Sequence, residues 1–298
     1  MIKISEISKK LDGTTVIDGI NLEIKKGSVF GLLGVNGAGK STLLRLMCGI
    51  YQADSGEITY GGKPVFENPD VKRKIFFIND ETVQFSSMTL NELKNFYKTY
   101  YPDFSEEIFE ALRAKINLEA DKKMTSFSKG MKRQAVVITA LACQTEYLLM
   151  DEAFDGLDPA MRVIVKDMIF DAVMDRQLTV VISSHNLREL SEICDSAAMI
   201  NNNTVAFCRD TESECSLCKV NTSFAEKYTA DDFPELDIVK FEYNQSICTM
   251  MAKNSRSEIQ KALEKKKPVF LDIIPLTLEE IFIYEMEAKG YYETEQNS

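Results

Sequence analysis

The sequence predicts an α/β fold with a parallel sheet, and two kinds of segment support this prediction. Three short apolar runs, residues 29–33, 147–150 and 179–182, have the length and composition of buried strands. A helical stretch at residues 40–47 follows the first run, and a segment with apolar residues at helical spacing separates the other two. Strands that alternate with helices along the chain are typical of parallel sheets covered by helices.

Other patterns add further parts to this core. Alternating apolar residues at 2–7 and 15–24 predict antiparallel strands before the first buried strand. Residues 89–143 are helix-like with a break at Pro102, so we expect a mostly helical insert there. Asp158 before Pro159 is the order of a helix start, with the aspartate as the N-cap.

The pattern changes after residue 218. Gly61-Gly62 and Asn201-Asn202-Asn203 predict hairpin turns before this point. Beyond it we expect strands at 238–243, from 247 and at 269–274, a helix at 256–265 and a closing helix from Leu278. The chain is therefore predicted to contain a large domain, residues 1–218, and a small α+β accessory domain, residues 219–298.

The bulk composition narrows the class of protein. The 298 residues carry a net charge of −11 with a pI near 4.9, which disfavours direct binding to nucleic acid or anionic lipid. No apolar run approaches the roughly 20 residues that span a bilayer, and the first residues lack the order of a secretory signal. Seven cysteines, an odd number at scattered spacings, fit a reducing compartment. We expect a cytosolic protein.

A glycine-rich segment follows the first buried strand. Residues 34–41 read Gly-Val-Asn-Gly-Ala-Gly-Lys-Ser, which is the P-loop pattern, between a strand and a helix as that motif requires. Backbone N–H groups of such a loop converge on phosphates, the lysine reaches the β- and γ-phosphates, and the serine hydroxyl ligates Mg²⁺. The expected nucleotide-binding residues are Asn36, Gly37, Ala38, Gly39, Lys40, Ser41 and Thr42.

Polar residues also end the other two buried strands. Asp151 and Glu152 follow the second strand, at the sheet edge where doubly wound folds bind ligands. We expect Asp151 to hold Mg²⁺ and Glu152 to activate the attacking water. The single histidine, His185, follows the third strand, and a parallel sheet would place it on the same edge, in reach of the γ-phosphate.

These residues together with one further motif resemble the ATP-binding-cassette (ABC) ATPase family, over about residues 1–210. Residues 126–134 read Ser-Phe-Ser-Lys-Gly-Met-Lys-Arg-Gln and are similar to the family's signature motif. The resemblance implies that Ser128 and Gly130 bind the γ-phosphate of ATP held by an opposite protomer, so that ATP joins a homo- or heterodimer. Residues 156–158 resemble the family's D-loop, and Ser184-His185 its switch histidine.

The sequence departs from the family pattern at two positions. The glutamine of the family's Q-loop is replaced by Asp80, with Gln84 nearby. Asp80 either adds a carboxylate beside the metal or faces solvent or the membrane subunit, with Gln84 or water on the metal side. The aromatic residue that stacks on adenine is replaced by Leu11, which offers apolar packing but no π face.

The resemblance favours the ATPase subunit of a membrane transporter, bound at the cytoplasmic face to a separate transmembrane permease subunit. A groove formed by Asp80 and the helical insert would receive a helix of that subunit. The signature variant and the segment 276–282 resemble bacterial exporters of drugs, peptides or lipids.

Three other readings are open. A soluble ABC ATPase acting on DNA or ribosomes is disfavoured by the acidic balance, the single cassette and the lack of a long insertion between Lys40 and Ser128. A metabolite kinase does not account for residues 126–134. Cys208, Cys215 and Cys218 could suggest zinc, but with no histidine nearby we interpret them as a reduced linker.

Overall fold

The computed structural model describes residues 1–79, 87–152, 154–210, 218–276 and 280. The chain divides into two compact units, Met1–Asp210 and Thr211–Ser298. The sequence predicted a boundary after residue 218, whereas the observed division lies after Asp210. The reason is that Cys218 already begins a strand that pairs within the second unit.

The first unit contains ten strands and seven α-helices among its described residues. The strands are β1 (Ile2–Leu11), β2 (Thr14–Ile24), β3 (Val29–Leu33), β4 (Ser55–Tyr60), β5 (Lys63–Pro64), β6 (Ile75–Ile78), β7 (Tyr147–Asp151), β8 (Thr179–Ser184), β9 (Ser196–Asn201) and β10 (Thr204–Asp210). The helices are α1 (Lys40–Met47), α2 (Pro69–Lys72), α3 (Leu90–Tyr100), α4 (Glu106–Lys115), α5 (Lys129–Ala142), α6 (Pro159–Arg176) and α7 (Leu187–Ser191).

The predicted parallel sheet is confirmed. Its strand order is β10-β9-β3-β8-β7-β6, and every neighbouring pair except the β9–β10 hairpin is parallel. All residues of β3, β7 and β8 are buried, which explains why each strand contains a continuous apolar run. Because β3, β8 and β7 are direct neighbours, the residues that follow them emerge at one edge of the sheet.

A second, antiparallel sheet packs its apolar side chains into the same core. Its order is β2-β1-β4-β5, and the core residues include Ile2, Ile4 and Ile17 from this sheet together with Leu43 of α1. The two predicted hairpin turns are present, since Gly61 and Gly62, and likewise Asn202 and Asn203, have positive φ. This sheet therefore stands beside the loop that leads into α1.

The helical insert is also confirmed, and local signals define its helices. Thr89 and Glu92 form a capping box at the start of α3, and Ser105 caps α4. The break expected near Pro102 lies between α3 and α4. Ser128 caps α5 by accepting a hydrogen bond from the Met131 N–H at 3.2 Å, and Asp158 caps α6 as predicted.

The second unit has one four-stranded antiparallel sheet and a helix in its described part. Its elements are β11 (Cys218–Ser223), β12 (Ile238–Asn244), β13 (Ile247–Ala252), α8 (Arg256–Glu264) and β14 (Phe270–Pro275), with the strand order β12-β13-β11-β14. Ile259, Ala262 and Leu263 of α8 are buried in the core of this unit. The closing helix expected from Leu278 lies outside the described residues. No helix in the described ranges has both the length and the apolar character needed to cross a membrane.

Candidate functional site: a phosphate-binding cavity at the sheet edge

The loop between β3 and α1 has a backbone that only glycine accommodates. Gly39 has φ of 104°, and a Cβ atom there would lie 2.8 Å from the Val16 carbonyl oxygen. A Cβ on Gly34 would lie 2.7 Å from the Ile200 carbonyl oxygen. No side chain caps the N-terminus of α1 and its first turn has no acidic residue, so the helix end can attract an anion.

Lys40 is buried at the centre of this site. Its Nζ donates hydrogen bonds to the carbonyl oxygens of Gly34 at 2.7 Å and Val35 at 3.2 Å. The same Nζ lies 3.3 Å from Glu152 Oε1. The ammonium group is therefore held between its own loop and the acidic end of β7.

Asp151 ends β7 and Glu152 follows it, and the two carboxylates lie in different environments. Asp151 is 2% exposed and its Oδ1 accepts a hydrogen bond from Ser183 Oγ at 2.6 Å. The Ser183 hydroxyl in turn accepts the Glu152 N–H at 3.0 Å. Glu152 has φ of 48°, a left-handed conformation that is uncommon outside glycine, asparagine and aspartate, and its carboxylate points into the cavity.

His185 completes the arrangement around Glu152. Its Nδ1 lies 2.9 Å from Glu152 Oε2, and the side chain is 49% exposed. Each oxygen of the Glu152 carboxylate thus faces one basic side chain, Lys40 on one side and His185 on the other. Ligand atoms of Glu152, Asp155 and His185 all lie within 4.8 Å of one another.

These side chains share one open cavity of about 490 Å³. Nine of the residues predicted to bind nucleotide or catalyse the reaction line it, namely Asn36, Gly37, Gly39, Lys40, Ser41, Thr42, Asp151, Glu152 and His185. Val16 and Asp155 also line it and were not predicted. The Ser41 hydroxyl and the Asp151 carboxylate are hard oxygen donors, the ligand type that suits Mg²⁺.

Four other predicted site residues that the structure describes are not in this lining. Ala38 is a buried residue of the phosphate loop itself, and Leu11 is half-buried at the end of β1, where it pairs with Thr14. Ser128 and Gly130 begin α5, and a Cβ on Gly130 would lie 2.7 Å from the Gly156 carbonyl oxygen. Asp80 lies outside the described residues, as does Gln84.

Two residues that support the site had not been singled out in the sequence. Ser183 precedes Ser184-His185 and bonds both Asp151 and the Glu152 backbone. Arg133 lies within the signature segment, and its guanidinium bonds the Glu152 carbonyl oxygen. Two sequence signals could have identified them: the serine stands at the end of a buried strand, and the arginine lies on the apolar face of a helix.

A phosphate-binding loop before a helix, with acids and a histidine at the same sheet edge, is typical of a P-loop nucleoside triphosphatase. Comparison with known proteins narrows this class. The family model described as "ABC transporter" matches residues 17–155. The chain is 29% identical over 294 residues to the ABC transporter ATP-binding protein YtrB of Bacillus subtilis (strain 168), covering 97% of this chain and 99% of that protein.

A second relative and a solved structure are also ATP-binding subunits of transporters. The chain is 30% identical over 206 residues to the bacitracin transport ATP-binding protein BcrA of Bacillus licheniformis, covering 67% of each. A structure of the ATP-binding subunit of an ABC transporter superposes with a TM-score of 0.65 at 23% identity, over 71% of this chain and 90% of that one. This chain belongs to the ABC transporter ATP-binding proteins, and it is an ATPase subunit whose ATP hydrolysis is coupled to transport.

Proposed function

We propose that the chain hydrolyses ATP with Glu152 as the general base, within a dimer that drives an export permease. The observation that carries the catalytic assignment is the position of the Glu152 carboxylate, 3.3 Å from Lys40 Nζ and 2.9 Å from His185 Nδ1 above the phosphate loop. A carboxylate that contacts a basic side chain with each of its oxygens is held in one orientation, as a positioned base must be.

The residues divide the work of hydrolysis. Lys40 exchanges its bonds to the loop carbonyls and to Glu152 for phosphate oxygens, and the loop N–H groups take the other oxygens. Glu152 then accepts a proton from a water that attacks the γ-phosphorus, while the bond to the ADP oxygen breaks. His185 holds the second Glu152 oxygen, and we assign it a contact with the γ-phosphate once ATP is bound.

Mg²⁺ fits the same cavity. Ser41 and Asp151 would hold the ion, and Ser183 fixes Asp151 by a hydrogen bond to one of its oxygens. When bound, the ion neutralises charge that develops on the phosphate oxygens. Asp80 lies outside the described residues. For it we propose two alternatives: it adds a carboxylate beside this ion, or it faces solvent or the permease.

The position of two predicted phosphate-binding residues, Ser128 and Gly130, supports the dimer. Ser128 is exposed at the start of α5 and, with Gly130, stands outside the cavity lining. An exposed serine and a half-buried glycine at a helix N-terminus can contribute donors to a γ-phosphate held by another protomer. ATP then stabilises the dimer because it binds both halves, and hydrolysis releases them.

A groove on the first unit suits the membrane partner. It has a volume of about 490 Å³ and is lined by Pro69, Lys72, Arg73, Phe96, Tyr97, Tyr100 and Tyr101. Burial raises the pKa of Tyr97 to about 12, so this phenol stays neutral. The surface is aromatic, and such residues dominate binding energy at protein interfaces. We assign it to a helix of the permease, and under this proposal the chain acts at the cytoplasmic face of the membrane.

Replacing Tyr100 with glutamate tests this assignment. Tyr100 is 62% exposed in the groove, so the new charge should reduce the affinity for the permease by about tenfold or more and leave the basal ATPase rate of the isolated subunit unchanged. Co-purification of a polytopic membrane protein with the tagged chain gives the measurement. Phe170→Glu, at an exposed aromatic position on α6, is the matched control and should bind normally. Equal binding by Tyr100→Glu would remove the groove from the interface.

A further inference from the structure

The strongest unassigned feature is the fully buried arginine of α5. Arg133 is 0% exposed and is the largest of the fully buried side chains in the described ranges. Its Nη1 donates to the Asn79 carbonyl oxygen at 2.9 Å, and its Nη2 donates to the Glu152 carbonyl oxygen at 3.3 Å. One guanidinium therefore joins α5 to the chain beyond β6 and to the residue beyond β7. Its fixed planar fork suits two acceptors at once.

Glu152 needs support of this kind because its backbone is strained. Its φ of 48° is unfavourable for a residue with a long side chain, and such conformations persist only where the surroundings impose them. Both polar groups of its main chain are bound by fully buried side chains. Ser183 Oγ accepts the N–H at 3.0 Å, and Arg133 donates to the carbonyl oxygen.

The direction of the Glu152 side chain follows from this backbone. A left-handed residue turns its Cα–Cβ bond away from the direction it would have in an extended strand, so relaxation of φ would move the carboxylate. In the observed conformation the two oxygens meet Lys40 Nζ and His185 Nδ1. The bond from Arg133 thus acts on the position of the base through its main chain.

Arg133 also connects this position to two other places. It lies one turn into the helix that Ser128 caps, and its second bond goes to Asn79, the residue that precedes 80–86. A shift of α5 relative to the sheet cannot leave both bonds intact, because both acceptors belong to chain segments that end neighbouring strands β6 and β7.

We propose that Arg133 is a positioning residue for ATP hydrolysis, which holds the backbone of Glu152 so that its carboxylate lies between Lys40 and His185. The proposal rests on the role of Glu152 as the base. It links the start of α5, where a partner's nucleotide is expected to bind, and Asn79 directly after β6 to the group that activates water.

The test compares Arg133→Lys and Arg133→Gln with Thr139→Val. Lysine keeps the charge but offers one donor group instead of a fork, and glutamine removes the charge. We expect kcat to fall about tenfold for lysine and further for glutamine, with the KM for ATP within about twofold of the unsubstituted chain. Thr139 is also fully buried on α5, and among the described residues its hydroxyl bonds only the Ala135 carbonyl oxygen, so its variant should keep kcat even if it loses stability.

A double-mutant cycle with Glu152→Gln separates this role from a purely structural one. If Arg133 acts through Glu152, then Arg133→Lys should not slow the residual hydrolysis of Glu152→Gln any further. A full additional tenfold loss in that background would overturn the proposal. So would an unchanged kcat in Arg133→Gln, a loss of ATP affinity equal to the loss of rate, or failure of both variants to fold. Normal turnover by Glu152→Gln alone would instead refute the role of the base.

Discussion

Replacing Glu152 with glutamine is expected to slow ATP hydrolysis by about 100-fold or more while ATP binding is retained. The amide cannot accept the proton of the attacking water, whereas the phosphate loop and Lys40 are untouched. Because ATP joins the protomers and is no longer consumed, the dimer should accumulate. Steady-state turnover, nucleotide binding and size-exclusion chromatography with ATP measure the three effects.

The matched control for this variant is Glu146→Gln. Glu146 immediately precedes β7, at the opposite end of the strand, and forms a half-exposed ion pair with Lys74 at 2.6 Å. A surface pair of this kind contributes little to stability, so the control should turn over ATP normally. Near-normal turnover by purified Glu152→Gln would remove that residue from the catalytic role.

Lys40→Ala and Ser128→Arg should each abolish hydrolysis, yet a mixture of the two proteins should recover part of the original rate. Lys40→Ala removes the cation that meets the phosphates, and Ser128→Arg blocks the surface offered to the other protomer. A mixed dimer retains one composite site with an intact Lys40 from one chain and an intact Ser128 from its partner. The measurement is ATPase activity as a function of mixing ratio.

Two controls make this result decisive. Mixed dimers must be shown directly, by tagging one variant and capturing the other in the presence of ATP. A mixture of Lys40→Ala with Glu152→Gln is the second control, because both changes lie in one chain's share of the site and leave no intact composite site. If mixed dimers of Lys40→Ala and Ser128→Arg are captured but recover no activity, the shared site is contradicted. This conclusion requires that one intact site can hydrolyse ATP alone. A heterodimer of Ser128→Arg with the unsubstituted chain, which has one intact site, tests that requirement.

The nucleotide site was largely predictable because its parts are local in sequence. Buried parallel strands contain continuous apolar runs, and in β3, β7 and β8 each run leads directly into the residues of the site. The edge rule for parallel sheets then brings those residues together without knowledge of the strand order. The helix starts at Ser128 and Asp158 were likewise set by caps that act within three residues.

The features that escaped prediction depend on distant contacts. Ser183 and Arg133 reach Glu152 across 31 and 19 positions of sequence, and no local pattern marks such pairs. Strand β11 was missed because only alternate residues, Cys218, Val220 and Thr222, are buried and one of them is polar. Without that strand, the boundary between the two units was placed too late.

The contact between Gly39 and Val16 makes the two sheets of the first unit mechanically dependent. The carbonyl oxygen of Val16 and Cδ1 of Ile17 occupy the space where any side chain at Gly39 would begin, each 2.8 Å from its hypothetical Cβ. The antiparallel sheet is thus a rigid wall of the phosphate loop. It cannot move toward α1 without displacing the backbone N–H groups that meet the phosphates. A substitution in the β1–β2 hairpin that left the hairpin folded would therefore still lower the affinity for the nucleotide.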